Sequence, residues 1–202
     1  MIETAVDGRV LTLTLNRPEK ANALTLEMLR TLADQFERVD PDVCAVVLTG
    51  TGKVFSAGAD LDAARAGLAV DPVWERLSRA VAGCPALTVA AMNGTAAGGA
   101  LGMVLACDLR VAVPGAKMFY PVMKLGFLPQ PSDPMRLVAL GGVSAARRVL
   151  LAGERLDAAS AQALGLLDAI ADDCVAAAHM MAADACAAGQ EHVAAIKAMI
   201  PR

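Results

Sequence analysis

The chain has 202 residues, 56% of them hydrophobic and 19% charged, which is ample apolar material for one core and rules out a disordered or fibrous protein. Eighteen Lys and Arg against 21 Asp and Glu leave a formal charge of −3. No basic run occurs and aromatics are only 3%, so neither the charge nor the stacking platforms of a nucleic-acid interface are present. The cysteines Cys44, Cys84, Cys107, Cys174 and Cys186 are scattered, form no C-x-x-C pair and are accompanied only by His179 and His192. That pattern argues against a disulfide framework and a zinc site; free thiols used as small core residues fit a reducing cytosol, and a cytoplasmic placement is expected. Met1-Ile2-Glu3-Thr4 has neither a basic nor an apolar leader region, so no signal peptide is expected.

Val10 to Leu15 alternates as a half-exposed strand with its leucines on one face, stopped by Asn16-Arg17-Pro18. Leu29, Leu32, Ala33, Phe36 and Val39 recur at helical spacing and predict an amphipathic helix from Thr25 to about Val39. Cys44 to Thr49 is a continuous apolar run bounded by Gly50, the signature of a strand buried on both faces. A small-residue loop, Phe55 to Leu61, follows, then a helix carrying Trp74, Leu77 and Val81, and then a second buried strand, Leu87 to Ala91. Gly98-Gly99 opens an apolar helix to about Cys107; Leu109 to Val113 and Lys117 to Tyr120 are short strands. Helices are expected around Arg136 to Ala139, Ser144 to Leu151 and Asp157 to Leu164, the last with Asp157 as its N-cap and Gly165 just beyond. Leu167 to Ile170 can add a strand before an alanine-rich helical tail.

Between Arg79 and Asp108 there is no charged residue, a length that could span a bilayer. The Cys84-Pro85 and Asn93-Gly94 turn signals and Gly98, Gly99 and Gly102 divide it into a buried strand, a glycine loop and a buried helix, so no membrane span is expected. Alternation of strands and helices makes the class α/β.

Two glycine turns follow buried strands: Ser56-Ala57-Gly58-Ala59-Asp60-Leu61, and Asn93 to Gly99. The second feeds a helix, which would place the Gly99 N–H at a positive helix end. Each turn alone reads as an ordinary tight connection. If the Ala59 and Gly99 N–H groups converge, they form a two-donor pocket for a developing oxyanion, worth roughly 2.7–4 kcal/mol per donor in known cases.

The chain resembles the enoyl-CoA hydratase/isomerase, or crotonase, superfamily. The resemblance is carried in order by Leu15-Asn16-Arg17-Pro18 with Asn22-Ala23-Leu24, Val47-Leu48-Thr49-Gly50, Phe55 to Leu61, Ala90-Ala91-Met92-Asn93-Gly94, Gly98-Gly99, Ala106-Cys107-Asp108-Leu109-Arg110 and Lys124-Leu125-Gly126. It covers about residues 9 to 170. It implies a spiral of ββα units, the fold shared with caseinolytic proteases, over 1–170, with a short helical region over 171–202. It also implies a bound acyl-CoA thioester with no cofactor beyond that coenzyme A moiety, and an oxyanion hole at the Ala59 and Gly99 N–H groups. Lys20, Ala21, Asn22, Ala23, Leu24, Lys53, Ala57, Asp60 and Leu61 match positions that usually hold the coenzyme A adenine and phosphates. A homo-trimer or hexamer is implied, although the chain stops soon after Lys197, before the helices with which relatives usually continue.

Two departures follow from the same resemblance. The positions of the two glutamates used by family hydratases are here Gly102 and Val122. Positioned acid–base groups typically contribute about 10²–10⁴-fold each, so conventional hydration is not expected. Asp133 is the leading replacement acid or base, with Tyr120 and Asp62 behind it, but Ser132-Asp133-Pro134 also reads as a helix cap with proline at the first helical position, and capping is the preferred reading. His179 and His192 lie outside the motifs and read as surface residues. Two functions remain: an enzyme that stabilises a thioester enolate, or a non-catalytic acyl-CoA carrier or sensor. A serine peptidase of the related fold fails, because no serine occupies Asn93 to Leu101 and no histidine lies between there and Tyr120.

Overall fold

The structure, a computed structural model, describes residues 1–200, so the last two positions of the expected 171–202 region lie outside the described residues. Strands β1 (Ile2–Asp7) and β2 (Val10–Leu15) form an antiparallel hairpin. From β2 the sheet continues in parallel through β3 (Ala45–Gly50), β5 (Leu87–Met92), β7 (Leu109–Ala112) and β10 (Ala169–Ile170). The three central strands are each followed by a short strand set in a second sheet: β4 (Val54–Ser56), β6 (Thr95–Ala97) and β8 (Lys117–Phe119), with β9 (Leu156–Asp157) antiparallel at the edge.

Helices complete each unit. Helix α1 (Leu26–Glu37) precedes β3; α2 (Leu61–Arg65) and α3 (Val73–Gly83) follow β4; α4 (Ala100–Ala106) follows β6; α5 (Val122–Leu125) and α6 (Asp133–Leu150) follow β8. Long strand, short strand, helix recurs three times, which is the expected spiral of ββα units in an α/β fold. Helices α7 (Ala158–Ala163), α8 (Cys174–Met181), α9 (Ala183–Ala188) and α10 (Gln190–Met199) close the chain.

The strand patterns explain the layering. In β3 Val46 and Leu48 enter the main core with α1, α3 and α4, while Ala45 and Val47 enter a second cluster with Cys174, Ala178 and Ala182 of the tail. Burial of a side chain such as Leu48 contributes about 1.5–3 kcal/mol, and the small tail residues let α8 lie close on the opposite sheet face. The uncharged stretch after Arg79 is divided among the end of α3, β5, β6 and α4. Among the described residues no helix is long and apolar enough to cross a membrane.

Several elements differ from the sequence-based expectation, among them β6, α2, α5 and β9, which carry no signal of their own. Strand β1 lacks a pattern because it is an edge strand, exposed along nearly its whole length and held by backbone pairing to β2. Strand β4 (Val54–Ser56) overlaps the start of what reads as a loop from Phe55, since three residues with one side of pairing need little hydrophobic signal. The two helices expected around residues 136–139 and 144–151 are two parts of α6, which starts earlier, at Asp133, and breaks at Gly142 (φ 77°, ψ 172°).

Arg110, buried in β7, ties that strand to the bend that enters β10: its guanidinium donates to the Cys107 carbonyl at 2.7 Å and to Asp168 at 2.9 Å, and Asp168 also accepts its backbone N–H at 2.7 Å. Truncating Asp168 leaves that guanidinium buried without its anion. Asp168→Ala is expected to lower the unfolding free energy by about 2 kcal/mol in a urea titration, below the range for a fully enclosed pair because the Asp168 side chain is partly solvated.

Candidate functional site

The segment Lys20–Leu24 and the loop Ser56–Asp60 are zipped together. Ala21 and Asn22 both adopt left-handed backbone (φ 50° and 52°), which aims their carbonyls at the loop. The Ala57 N–H donates to Ala21 O at 3.0 Å, the Leu24 N–H to Gly58 O at 2.7 Å, and the Asp60 N–H to Leu24 O at 2.9 Å. Ser56 Oγ donates to Asn22 O at 2.8 Å. With the Gly58 N–H donating to Ser56 Oγ at 3.2 Å, the N–H groups on either side of Ala59 are used and that of Ala59 itself is not.

The second loop arrives from β6. At Gly58 (φ 94°) an added Cβ would stand 2.8 Å from Ala97 O and 3.5 Å from the Gly99 nitrogen, so glycine is required for the two loops to meet. The Gly98 N–H donates to Phe119 O at 3.1 Å, and the next free donor is Gly99, at the N-terminus of α4. Among the described residues neither the Ala59 nor the Gly99 N–H donates a hydrogen bond. Both residues line a cavity of about 300 Å³ whose other walls include Ala57, Leu61, Trp74, Tyr120 and Val122.

The remaining residues matched to coenzyme A binding divide by role. Lys20 and Lys53 are exposed, on adjoining turns: Gly52 approaches Pro18 Cβ within 3.4 Å of where its own Cβ would be. Ala57 and Leu61 present exposed apolar surface at the cavity. The Asn22 side chain is buried, accepting from the Arg17 N–H at 2.9 Å and donating to Thr51 O and Val54 O at 2.9 and 2.7 Å. Asp60 accepts from Arg17 at 2.7 Å and caps α2 through the Asp62 and Ala63 N–H groups. The Arg17 guanidinium first, and the cap bonds with it, hold the Asp60 carboxyl below the usual carboxylate range. The Asn22 and Asp60 side chains therefore build the loop; the Ala23 carbonyl serves it too, accepting from Arg17 at 3.1 Å, while Leu24 is buried.

Asp133 corrects the capping expectation. Ser132 is the N-cap residue of α6, and the Asp133 side chain turns inward and is fully buried. Its Oδ2 accepts from Tyr120 Oη at 3.0 Å; Oδ1 accepts no hydrogen bond, with the Arg136 guanidinium 3.8 Å away. It occupies this place because residue 102, on facing α4, is glycine: a Cβ there would lie 2.9 Å from both Asp133 oxygens. Burial pushes the Asp133 carboxyl up to about 6, against the opposing pull of Tyr120 and Arg136. Burial, and then the adjacent carboxylate, push the Tyr120 phenol well above its ordinary value. Tyr120, not Asp133, is the member of the pair that lines the cavity.

The sequence family described as enoyl-CoA hydratase/isomerase matches residues 6–202. The chain belongs to this family. It is 44% identical to a probable enoyl-CoA hydratase, EchA14, of Mycobacterium tuberculosis, over 96% of this chain and 78% of that protein. It is 38% identical to a putative enoyl-CoA hydratase/isomerase, YngF, of Bacillus subtilis, over 85% and 69%. Among solved structures, Pseudomonas aeruginosa DspI superposes with a TM-score of 0.90 at 33% identity, covering 97% of this chain and 84% of that one. An enoyl-CoA hydratase/isomerase from Pseudoalteromonas atlantica gives 0.90 at 34%, covering 98% and 81%.

Within this family member, other residues fall differently from their sequence reading. Asp62 is solvent-exposed and pairs with Arg65 at 3.3 Å, which removes it as a candidate behind Asp133. His192 is exposed, whereas His179 is half-buried near Thr12, and neither lines the cavity. Trp74, read as a core residue, stacks its ring where a Gly99 Cβ would point, 3.0 Å away, and donates Nε1–H to Leu68 O at 2.8 Å. Glu75 carried no sequence signal; it accepts from Ser132 Oγ at 2.8 Å and from Arg79 at 3.0 Å, anchoring the start of α6.

The Asp133 shift has a sign for stability. A carboxyl raised from about 4 when unfolded to about 6 when folded costs nothing below pH 4, costs progressively more as pH rises through 6, and then levels off. Asp133→Asn keeps the shape without the buried charge. It is expected to match the parent near pH 4 and to gain about 3 kcal/mol at pH 7.5, read from paired thermal melts at the two pH values.

Proposed function

We propose that this protein binds an acyl-CoA thioester in the 300 Å³ cavity and stabilises its enolate at the backbone N–H groups of Ala59 and Gly99, without acting as a conventional hydratase. The single observation that carries the reading is the pair of unused donors, brought to one cavity by the Gly58 contact. A thioester oxygen becomes anionic when the α-carbon loses a proton or a carboxylate. Donors already fixed in an apolar wall stabilise that charge without reorganising at the moment of reaction. Lys20 and Lys53 supply positive charge on the side where the 3′-phospho-ADP group would lie, and lysine acts there as a point-charge phosphate partner.

Gly102 and Val122 support the departure from hydration: the first faces the Asp133 carboxylate and the second is an apolar wall of the cavity. Neither can activate water. The reactions that fit are those needing an enolate alone, such as isomerisation, decarboxylation or C–C bond change. A carrier or sensor is the second reading, favoured by the absence of any carboxylate from the cavity lining among the described residues. The homo-trimer or hexamer of the resemblance is part of the proposal, tested by light scattering.

The deciding experiment follows butyryl-CoA and crotonyl-CoA by proton NMR in D₂O with the protein present. Loss of the α-proton signal of butyryl-CoA, with little hydration of crotonyl-CoA, is the expected result; broadened coenzyme A resonances without exchange would instead favour the carrier. Gly58→Ala forces the loops apart and is expected to slow exchange by about 10²–10³-fold, the loss typical of one oxyanion donor. Lys53→Ala is expected to weaken acyl-CoA several-fold, more at low salt, while leaving an acyl-pantetheine unaffected, as measured by calorimetry.

A further inference from the structure

We propose that Tyr120 is the catalytic proton-transfer residue of this site and that Asp133, acting through it, takes the place of the missing cavity carboxylates. The inference rests on the acyl-CoA reading above and deepens it by naming the base.

The geometry assigns separate tasks to the two side chains. Tyr120 stands at the end of β8 against the same cavity as Ala59 and Gly99. Its hydroxyl is oriented from two sides: Oη donates to Asp133 Oδ2 at 3.0 Å and accepts the Gln130 N–H at 3.4 Å. A carboxylate only accepts, so the phenolic proton points at Asp133 and the oxygen retains lone-pair capacity. Asp133 does not line the cavity; its carboxylate is joined to a cavity-lining side chain by the bond from this hydroxyl.

The pair is built, not incidental. A fully buried carboxylate with one oxygen lacking any hydrogen bond is costly, and such cost persists mainly where a function holds it. Gly102 makes the space by omitting a side chain, and Ser132 bonded to Glu75 fixes the entry of α6 from which Asp133 projects.

The step balances without another reactant. The α-C–H bond breaks as its proton passes to Tyr120 Oη, while the Tyr120 proton passes to Asp133 Oδ2. The C–H electron pair moves into the enolate, whose oxygen meets the Ala59 and Gly99 N–H groups. Reversal returns a proton to the same carbon, or to the γ-carbon of an unsaturated acyl chain. The elevated Tyr120 value fits this order, since the phenol stays protonated until the substrate proton arrives, and the carboxylate behind it is the resting base.

The charged groups facing Asp133 are few. Arg136 lies on its own helix and Glu75 on α3, where burial raises the Glu75 carboxyl but Ser132 and Arg79 together bring it below its usual value; α4 presents Gly102. Exchange is therefore expected to rise with pH up to about 6 and then level, following Asp133.

The test measures, on the full chain, butyryl-CoA affinity by calorimetry and α-proton exchange in D₂O across pH 5 to 9, for the parent, Tyr120→Phe and Asp133→Asn. Both variants are close in shape to the parent, and circular dichroism melts confirm folding. The expected result is affinity within about threefold of the parent, with exchange about 100-fold slower in each. The rise near pH 6 disappears in Asp133→Asn. Gly102→Ala, which displaces the Asp133 carboxylate, is expected to slow exchange comparably. Undiminished exchange in Tyr120→Phe, or an unchanged pH profile in Asp133→Asn, overturns the assignment. Binding without exchange in the parent overturns it while leaving the acyl-CoA reading standing as a carrier; no binding overturns both.

Discussion

The site depends on one close approach: the backbone of Gly58 against Ala97 O and the Gly99 nitrogen. Two loops that leave different sheet strands can present N–H groups to a common point only if no side chain separates them. The hydrogen bonds from residues 21–24 fix the first loop from behind, and the Gly98 bond to Phe119 fixes the second. Asn22, Asn93 and Asp60 all spend their side chains on this framework. A set of polar residues that looks like ligand-binding chemistry is in large part the scaffold that keeps two peptide N–H groups free.

A second constraint couples α4 to α6. The Asp133 carboxylate fits only because residue 102 has no Cβ, so a position that could hold a carboxylate on α4 and the one that does on α6 exclude one another sterically. The acidic group of α6 therefore sits behind Tyr120, in a dry environment that raises its proton affinity. Its buried charge carries a stability cost that grows as pH rises from about 4 to about 6.

The tail shows the same economy of packing. Cys174, Ala178 and Ala182 are small enough to lie on the face of β3 and β5 opposite the main core, and Lys197 of α10 reaches the Cys84 and Ala86 carbonyls at 2.9 Å and Asp108 at 2.6 Å. Weak hydrophobic periodicity in an alanine-rich segment thus conceals a definite docking surface, because close backbone approach substitutes for large side chains.

Continuous and alternating apolar runs made β2, β3, β5 and α1 legible from the sequence, since buried strands and amphipathic helices write their periodicity directly into residue order, and Asp157 and Gly165 marked the ends of α7 by local chemistry. The ordered motifs likewise announced the family and the Ala59 and Gly99 loops. Sequence order carries no such information for β1 and β4, whose stability comes from pairing with strands already in place. Nor does it for Asp133: a Ser-Asp-Pro run predicts a cap, and only the empty space above Gly102, contributed by a helix distant in the chain, turns the carboxylate inward to Tyr120. Local rules act on neighbours in sequence, whereas the protonation of a buried acid and the direction of a phenol are decided by what other elements leave room for.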